Sequence, residues 1–334
     1  MQPLSILTQQ ALVNLEYRSK AALSGLPSGF EALDRLTGGF EAGDLIILAA
    51  RPSMGKSVLA LSMLRHVTVE QDLPAILFSL ESTAEQVTNR LLAAQTGIDS
   101  ERIRKGALYN YEWEFLHQHV PKLTKAPLYL NDSAGLTLSQ LIKVAREYHQ
   151  EHGLALLVVD YLQLIAKETS PVGQAPSANR EQEISEIVRE LKHLAKELTL
   201  PIIALSQLNR SVETRGGDRR PQLSDLRDSG ALEEAADLVL FLYRPEYYGI
   251  LQDEMGNPTY GQAELIVAKN RYGFLDSIGL SFSGRTASFG SSESSDLPPL
   301  PDIPIEFSRA KKSSRKKASD SGVTPPPPFD EPPF

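Results

Sequence analysis

Six short runs of Leu, Ile, Val and Ala recur between residues 45 and 268 and limit the possible folds more than any other feature. They are Leu45–Ala50, Ala75–Leu80, Ala155–Asp160, Ile202–Ser206, Leu238–Leu242 and Ala263–Ala268. Each is nearly continuous in apolar residues, as expected of a strand covered on both faces. Between them lie segments with helical spacing: Lys56–Glu70, Thr83–Gln95, Leu138–Glu151 and Glu181–Leu198. Alternating strands and helices predict an α/β fold, a doubly wound and mostly parallel sheet with helices on both faces. In such sheets ligands bind at the carboxyl ends of the strands.

The first run is followed at such an end by Ala50-Arg51-Pro52-Ser53-Met54-Gly55-Lys56-Ser57. A helix begins at Lys56, so backbone N–H groups and the helix dipole converge on an anion bound by the loop. Spacing predicts that Lys56 reaches the β- and γ-phosphates of a nucleoside triphosphate and that the Ser57 hydroxyl ligates Mg²⁺. Ala50 stands where the usual pattern has Gly, and the strand–loop–helix context supports the assignment.

Hydrolysis needs further groups. Asp160 closes the most apolar run and, beside the loop, would hold Mg²⁺; the alternative is a carboxylate that caps the next turn. Glu81 follows the second run, where it could orient or deprotonate the attacking water, although a surface Glu at a strand end is also common. Gln207 follows the fourth run and could sense the γ-phosphate. The histidines make no metal site: His117 and His119 are two apart on a helical segment, and His149 and His152 fall at a solvated helix end.

Taken in order, the phosphate loop, Phe78-Ser79-Leu80-Glu81, Val159-Asp160-Tyr161-Leu162-Gln163-Leu164, Ala204–Arg210, Leu223–Glu233 and Lys269-Asn270-Arg271-Tyr272-Gly273 form a series. The series resembles the C-terminal, RecA-like motor domain of DnaB-type replicative helicases, from about Leu23 to Gly290. The resemblance implies an ATP-hydrolysing 5′–3′ DNA helicase, a homo-hexameric ring, ATP bound between subunits and single-stranded DNA in the central channel. The residues alone carry no sign of polarity. Lys269 and Arg271 match a basic pair that family members project into the neighbouring subunit's site; otherwise they read as basic residues on an exposed hairpin. Arg244 matches a residue that stacks on the base. Arg227, Asp228 and Gly230 match DNA-gripping residues. Arg210 belongs to the same arginine- and glycine-rich stretch, which suits backbone binding but could also be a flexible loop. The segment before Glu181 would supply the other DNA loop.

Three domains are expected: a linker helix over 1–24, the ATPase domain over 25–290 and a disordered tail over 291–334 rich in Pro, Ser and Lys. The first helix, from Pro3 to Leu23, carries Leu4, Leu7, Ala11 and Leu15 on one stripe. Either it packs on its own core or it docks on a neighbouring subunit. The family's collar domain has no counterpart ahead of it, which leaves primase contact unassigned. Full-length helicase subunits or a helicase loader are the expected further partners. After Gly273 the family's Pro-Thr-Gly-like segment is replaced by Phe274-Leu275-Asp276-Ser277.

Net charge is −8; the tail beyond Ser308 has six basic and three acidic residues, so residues 1–308 carry −11. Any polyanion site in the body is therefore local. With no Cys, disulfides and thiolate metal sites are excluded. No apolar run is long enough for a membrane helix, and no secretory signal is evident, so a cytosolic location is expected. Three alternatives share this fold: a collar-less accessory or regulatory subunit, a recombination ATPase and a clock-type ATPase.

Overall fold

The computed structural model describes residues 3–18, 23–167, 180–215, 219–253 and 255–291. The expected tail beyond 291, most of the segment before Glu181, and Gly216 and Gly217 lie outside the described residues. Helices are α1 Leu4–Arg18, α2 Glu31–Thr37, α3 Lys56–Arg65, α4 Ala84–Thr96, α5 Ser100–Lys105, α6 Asn110–Lys125, α7 Leu138–His152, α8 Arg180–Leu198, α9 Ser211–Thr214 and α10 Gly230–Ala235. Strands are β1 Leu45–Ala50, β2 Ala75–Ser79, β3 Leu128–Asn131, β4 Leu156–Asp160, β5 Ile202–Gln207, β6 Leu238–Tyr243, β7 Gln262–Asn270, β8 Ser277–Ser283 and β9 Ser288–Ser291.

These nine strands form one sheet in the order β3-β2-β4-β5-β1-β6-β7-β8-β9. The first six in that order run parallel. Strands β7, β8 and β9 add on antiparallel. The α/β, mostly parallel reading holds, with a correction at its edge: Ala263–Ala268 sits in an antiparallel strand. Among the described residues only a short 3₁₀ turn at Pro245–Tyr248 precedes it, and a parallel return needs a longer crossover.

Every residue of β1 is buried, because both faces are covered. Ile46, Leu48 and Ala50 pack with Leu59, Met63 and Leu64 of α3. Leu45, Ile47 and Ala49 pack with Leu141 of α7 and with Val188, Leu191 and Leu194 of α8. Thr83 and Thr137 open α4 and α7 with reciprocal capping boxes to Gln86 and Gln140. The expected helix Lys56–Glu70 is α-helical to Arg65 and continues as a π-turn over His66–Glu70. Strands β3, β8 and β9 and helix α5 are not among the elements expected from sequence pattern, whereas α6 contains the helical segment expected around His117 and His119.

Helix α1 is described from Leu4 to Arg18, and residues 19–22 of the expected helix lie outside the described residues. Its Leu4, Leu12 and Leu15 are 77%, 57% and 61% exposed, so the option that it packs on its own core does not hold.

Candidate active site

The loop between β1 and α3 turns on two residues with positive φ, Ser53 at 64° and Gly55 at 95°. At Gly55 a Cβ would come within 3.1 Å of the Phe289 ring, so only Gly fits without displacement. Met54 is 1% exposed and anchors the loop in the core. Ala50 is the last residue of β1 and pairs in register with Gln207 of β5. Here the strand itself leads into the loop, so Ala is accommodated where a Gly was expected.

A cavity of about 390 Å³ opens beside the loop. Ala50, Arg51, Pro52, Ser53, Gly55, Lys56 and Ser57 line it, together with Glu81 and Gln207. The sequence-derived set therefore converges on one place from the ends of β1, β2 and β5. Asp160, at the end of β4, is 5% exposed and is hydrogen-bonded to Ser57. Burial pushes its carboxyl up, against the opposing pull of Ser57, Lys56 and Arg90. Its Oδ1 is buried with no hydrogen-bond partner among the described residues. A carboxylate oxygen left open beside a hydroxyl suits a divalent cation, so Ser57 and Asp160 fit Mg²⁺.

Burial pushes Lys56 down to about 8, and nearby Asp160 and Glu81 partly offset it. Its ammonium lies 4.6 Å from the centre of the Tyr161 ring. Arg51, expected at the nucleotide, turns its guanidinium the other way. It donates to the Leu208 carbonyl at 2.6 Å and to Glu213 Oε1 at 2.9 Å, tying the loop to the segment after β5. Arg244 lies beside the loop, its guanidinium 3.7 Å over the Phe282 ring, 3.5 Å from the Ser53 carbonyl and paired with Glu246.

Lys269 and Arg271 are elsewhere. They sit at the end of β7 that pairs with the start of β6, where Asn270 is opposite Leu238. Leu238 is in turn opposite Ile46 near the start of β1, whereas the phosphate loop follows Ala50. The basic pair is thus at the opposite end of the sheet, roughly 16 Å along the strand direction. Lys269 donates to the Glu233 carbonyl at 2.6 Å, and Arg271 to Asp237 at 3.1 Å.

Comparison with known proteins shows the family of the chain. Residues 25–291 match the family model of the DnaB-like helicase C-terminal domain. The chain belongs to this family. It is 42% identical over 275 residues to the replicative DNA helicase DnaC of Bacillus subtilis, covering 82% of this chain and 58% of that protein. It is 40% identical over 270 residues to the replicative DNA helicase DnaB of Geobacillus stearothermophilus, covering 81% and 57%. The chain therefore spans rather more than half the length of these relatives. Among solved structures, an isolated ATPase domain superposes with a TM-score of 0.75 at 33% identity, over 85% of this chain and 98% of that one. A DnaB-like replicative helicase, solved for its interactions with primase, gives the same score and identity over 84% and 67%. A recombination or clock-type ATPase is not favoured by these matches.

The residues expected to grip DNA lie along one stretch of the DnaB-like domain. Arg210 is exposed at the start of α9, and Gly230 is exposed as the first residue of α10. Arg227 and Asp228 lie in a 3₁₀ segment over Leu223–Ser229. Arg215 and Arg220 are paired with Asp225 and Glu264. A second cavity of about 450 Å³ adjoins this stretch, lined by Arg180, Asn209, Asp225 and Leu226. It shares Tyr161 and Gln207 with the cavity beside the β1–α3 loop, so the two cavities meet at these residues.

Several lining residues were missed. Arg90 of α4 faces the nucleotide cavity and donates to Ser82 at 3.1 Å. Phe282, Gly284 and Ala287 cover the cavity from the β8–β9 hairpin. Alternating burial along β8, with Ile278 and Leu280 inside, was a legible signal for the hairpin. No comparable pattern marks Arg90. Among the described residues no group of three or more His, Asp or Glu side chains could hold a further metal, and no helix is long and apolar enough to cross a membrane.

Proposed function

We propose that the chain is the ATP-driven motor of a replicative DNA helicase, moving on single-stranded DNA as a homo-hexameric ring. The observation that carries this reading is the separation of two sets of residues. Lys56, Ser57, Glu81 and Gln207 line one cavity, with Asp160 hydrogen-bonded to Ser57, while Lys269 and Arg271 lie at the far end of the same sheet. No small movement unites the two sets within one copy. A neighbouring copy can bring its basic pair to the open cavity, and a ring repeats that contact at every interface.

In this mechanism the backbone N–H groups of the loop and the Lys56 ammonium neutralise the β- and γ-phosphates. Ser57 and Asp160 would hold Mg²⁺, which would supply positive charge to the phosphate oxygens. Glu81 orients the attacking water and takes its proton as the terminal P–O bond breaks, giving ADP and phosphate. Lys269 and Arg271 of the next copy offset the charge that develops in the transition state. Gln207 borders both cavities, which supports a role in reporting the γ-phosphate to the DNA side. Arg210, Arg227, Asp228 and Gly230 would hold the DNA backbone without regard to sequence.

Full-length helicase subunits or a loader are the further partners we assign. The reading is tested by strand displacement on a forked substrate and by ATP hydrolysis with and without single-stranded DNA, with Lys56→Ala as control. Strand-stimulated turnover and displacement that both vanish in the control are expected. Turnover indifferent to DNA, with no displacement, would instead indicate an accessory subunit.

A further inference from the structure

Arg271 projects from the end of β7 with its side chain 55% exposed, yet one corner of the guanidinium is fixed. Its Nη1 donates to Asp237 Oδ1 at 3.1 Å, and its backbone N–H donates to the Asp237 carbonyl at 2.9 Å. Asp237 is itself immobilised. Its side chain is 1% exposed, its Oδ2 accepts the Leu45 N–H at 2.9 Å, and its own N–H donates to the Leu45 carbonyl at 3.0 Å. The Lys192 ammonium of α8 also donates to Oδ2 and to the Gly43 carbonyl, the latter at 2.8 Å. Asp44, 3.8 Å from Lys192, is the second carboxylate of this cluster.

We propose that Asp237 is the positioning residue for Arg271, holding the guanidinium at the angle from which it enters the neighbouring copy's nucleotide cavity. This rests on the reading that Arg271 acts in trans. An exposed arginine on a hairpin samples many rotamers, and a small misplacement is enough to slow a reaction that depends on its charge. Asp237 uses one oxygen for Arg271 and the other for β1 and Lys192, so the arginine is referenced to the central strand of the sheet. Among the described residues Asp237 is the side chain with which the guanidinium pairs, and its exposure leaves the other donors within reach of phosphate oxygens. Lys192 offsets the buried charge and keeps Asp237 ionised without competing for Oδ1.

A subunit-mixing experiment separates this role from a structural one. Asp237→Asn, Arg271→Ala and Lys56→Ala proteins are purified, assayed for ATP turnover alone, and then assayed as mixtures. Asp237→Asn is expected to bind a fluorescent ATP analogue as tightly as the wild type but to turn over roughly 10–100-fold more slowly. Mixing it with Lys56→Ala should restore turnover, because the Lys56→Ala copy supplies a well-held Arg271 to an intact phosphate loop. The Arg271→Ala and Lys56→Ala mixture is the control and should recover in the same way.

If the control mixture stays inactive, the in-trans reading fails and the proposal with it. If the control recovers while Asp237→Asn alone turns over like the wild type, the proposal fails and the reading stands. The proposal also fails if Asp237→Asn is slow and its mixture does not recover when the control does. Should Asp237→Asn not fold, because Lys192 loses its nearest carboxylate, the double variant Asp237→Asn/Lys192→Met removes that charge and is read by the same outcomes.

Discussion

The ammonium of Lys56 and the ring of Tyr161 face each other at 4.6 Å across the floor of the nucleotide cavity. The ring gives the cation a partner worth roughly 0.5–2 kcal/mol, but it cannot replace water, and burial lowers Lys56 to about 8. Below that pH the free site carries the charge that phosphate needs. Above it the free site loses the proton, and a triphosphate must bring the proton back in order to bind. Affinity for an ATP analogue is therefore expected to fall on the order of tenfold from pH 7 to pH 9, with proton uptake on binding. Titration at both pH values, with Lys56→Met as the flat reference, checks this. Equal affinities for the native chain would show that Lys56 keeps its proton past pH 9 and that burial does not lower it to about 8.

Asp160 is the complementary case. Its folded pKa is raised from 3.8, chiefly by burial, so the charged carboxylate opposes folding. That penalty is absent well below pH 3.8, grows as pH rises from 3.8 towards the raised value and is complete above it. Asp160→Asn should raise the melting temperature of the nucleotide-free chain. The same change should abolish the Mg²⁺-dependent thermal shift given by a non-hydrolysable nucleotide and cut turnover about 10²–10³-fold. A variant that melts lower and keeps the Mg²⁺-dependent shift would show that Asp160 only supports the fold.

What was legible in the sequence follows from what local pattern can encode. Strands β1, β4 and β5 are buried on both faces, so their composition alone located Ala50, Asp160 and Gln207 at strand ends. Strand β3 was missed because its four residues, Leu128 to Asn131, are only half-buried at the sheet edge. The direction of Arg51 could not be read either. Its partners Leu208 and Glu213 lie more than 150 residues away, and spacing within a loop says nothing about which side chains turn back. The same holds for Arg271 and Asp237, which are 34 residues apart and meet only because β7 runs antiparallel to β6.

Arg51 should behave as an anchor rather than a nucleotide ligand. It is 5% exposed, and its guanidinium satisfies the Leu208 carbonyl and pairs with Glu213. Arg51→Ala leaves that carbonyl unpaired and opens a gap beneath the loop, at a cost of about 2–4 kcal/mol in stability. Lysine cannot reproduce the fork, so Arg51→Lys should recover little of the loss. Denaturant unfolding measures both variants. Unchanged unfolding midpoints with a large loss of ATP affinity would return Arg51 to the nucleotide.

The first helix yields the last prediction. Leu4, Ile6, Leu12, Val13 and Leu15 are all more than 40% exposed, an apolar load that an isolated helix rarely leaves in water. None of these side chains belongs to either core cluster, so removing residues 1–18 should leave the stability of the ATPase domain unchanged. If the helix docks on a neighbouring copy, burying five such side chains contributes about 1.5–3 kcal/mol each before the costs of association, at every interface of a ring. The truncated chain is then expected to sediment as a monomer with ATP and Mg²⁺ under conditions where the full chain forms rings. Its turnover should fall with its assembly, because Arg271 no longer meets a neighbouring phosphate loop. Rings of undiminished stability from the truncated chain would show that the helix does not hold copies together.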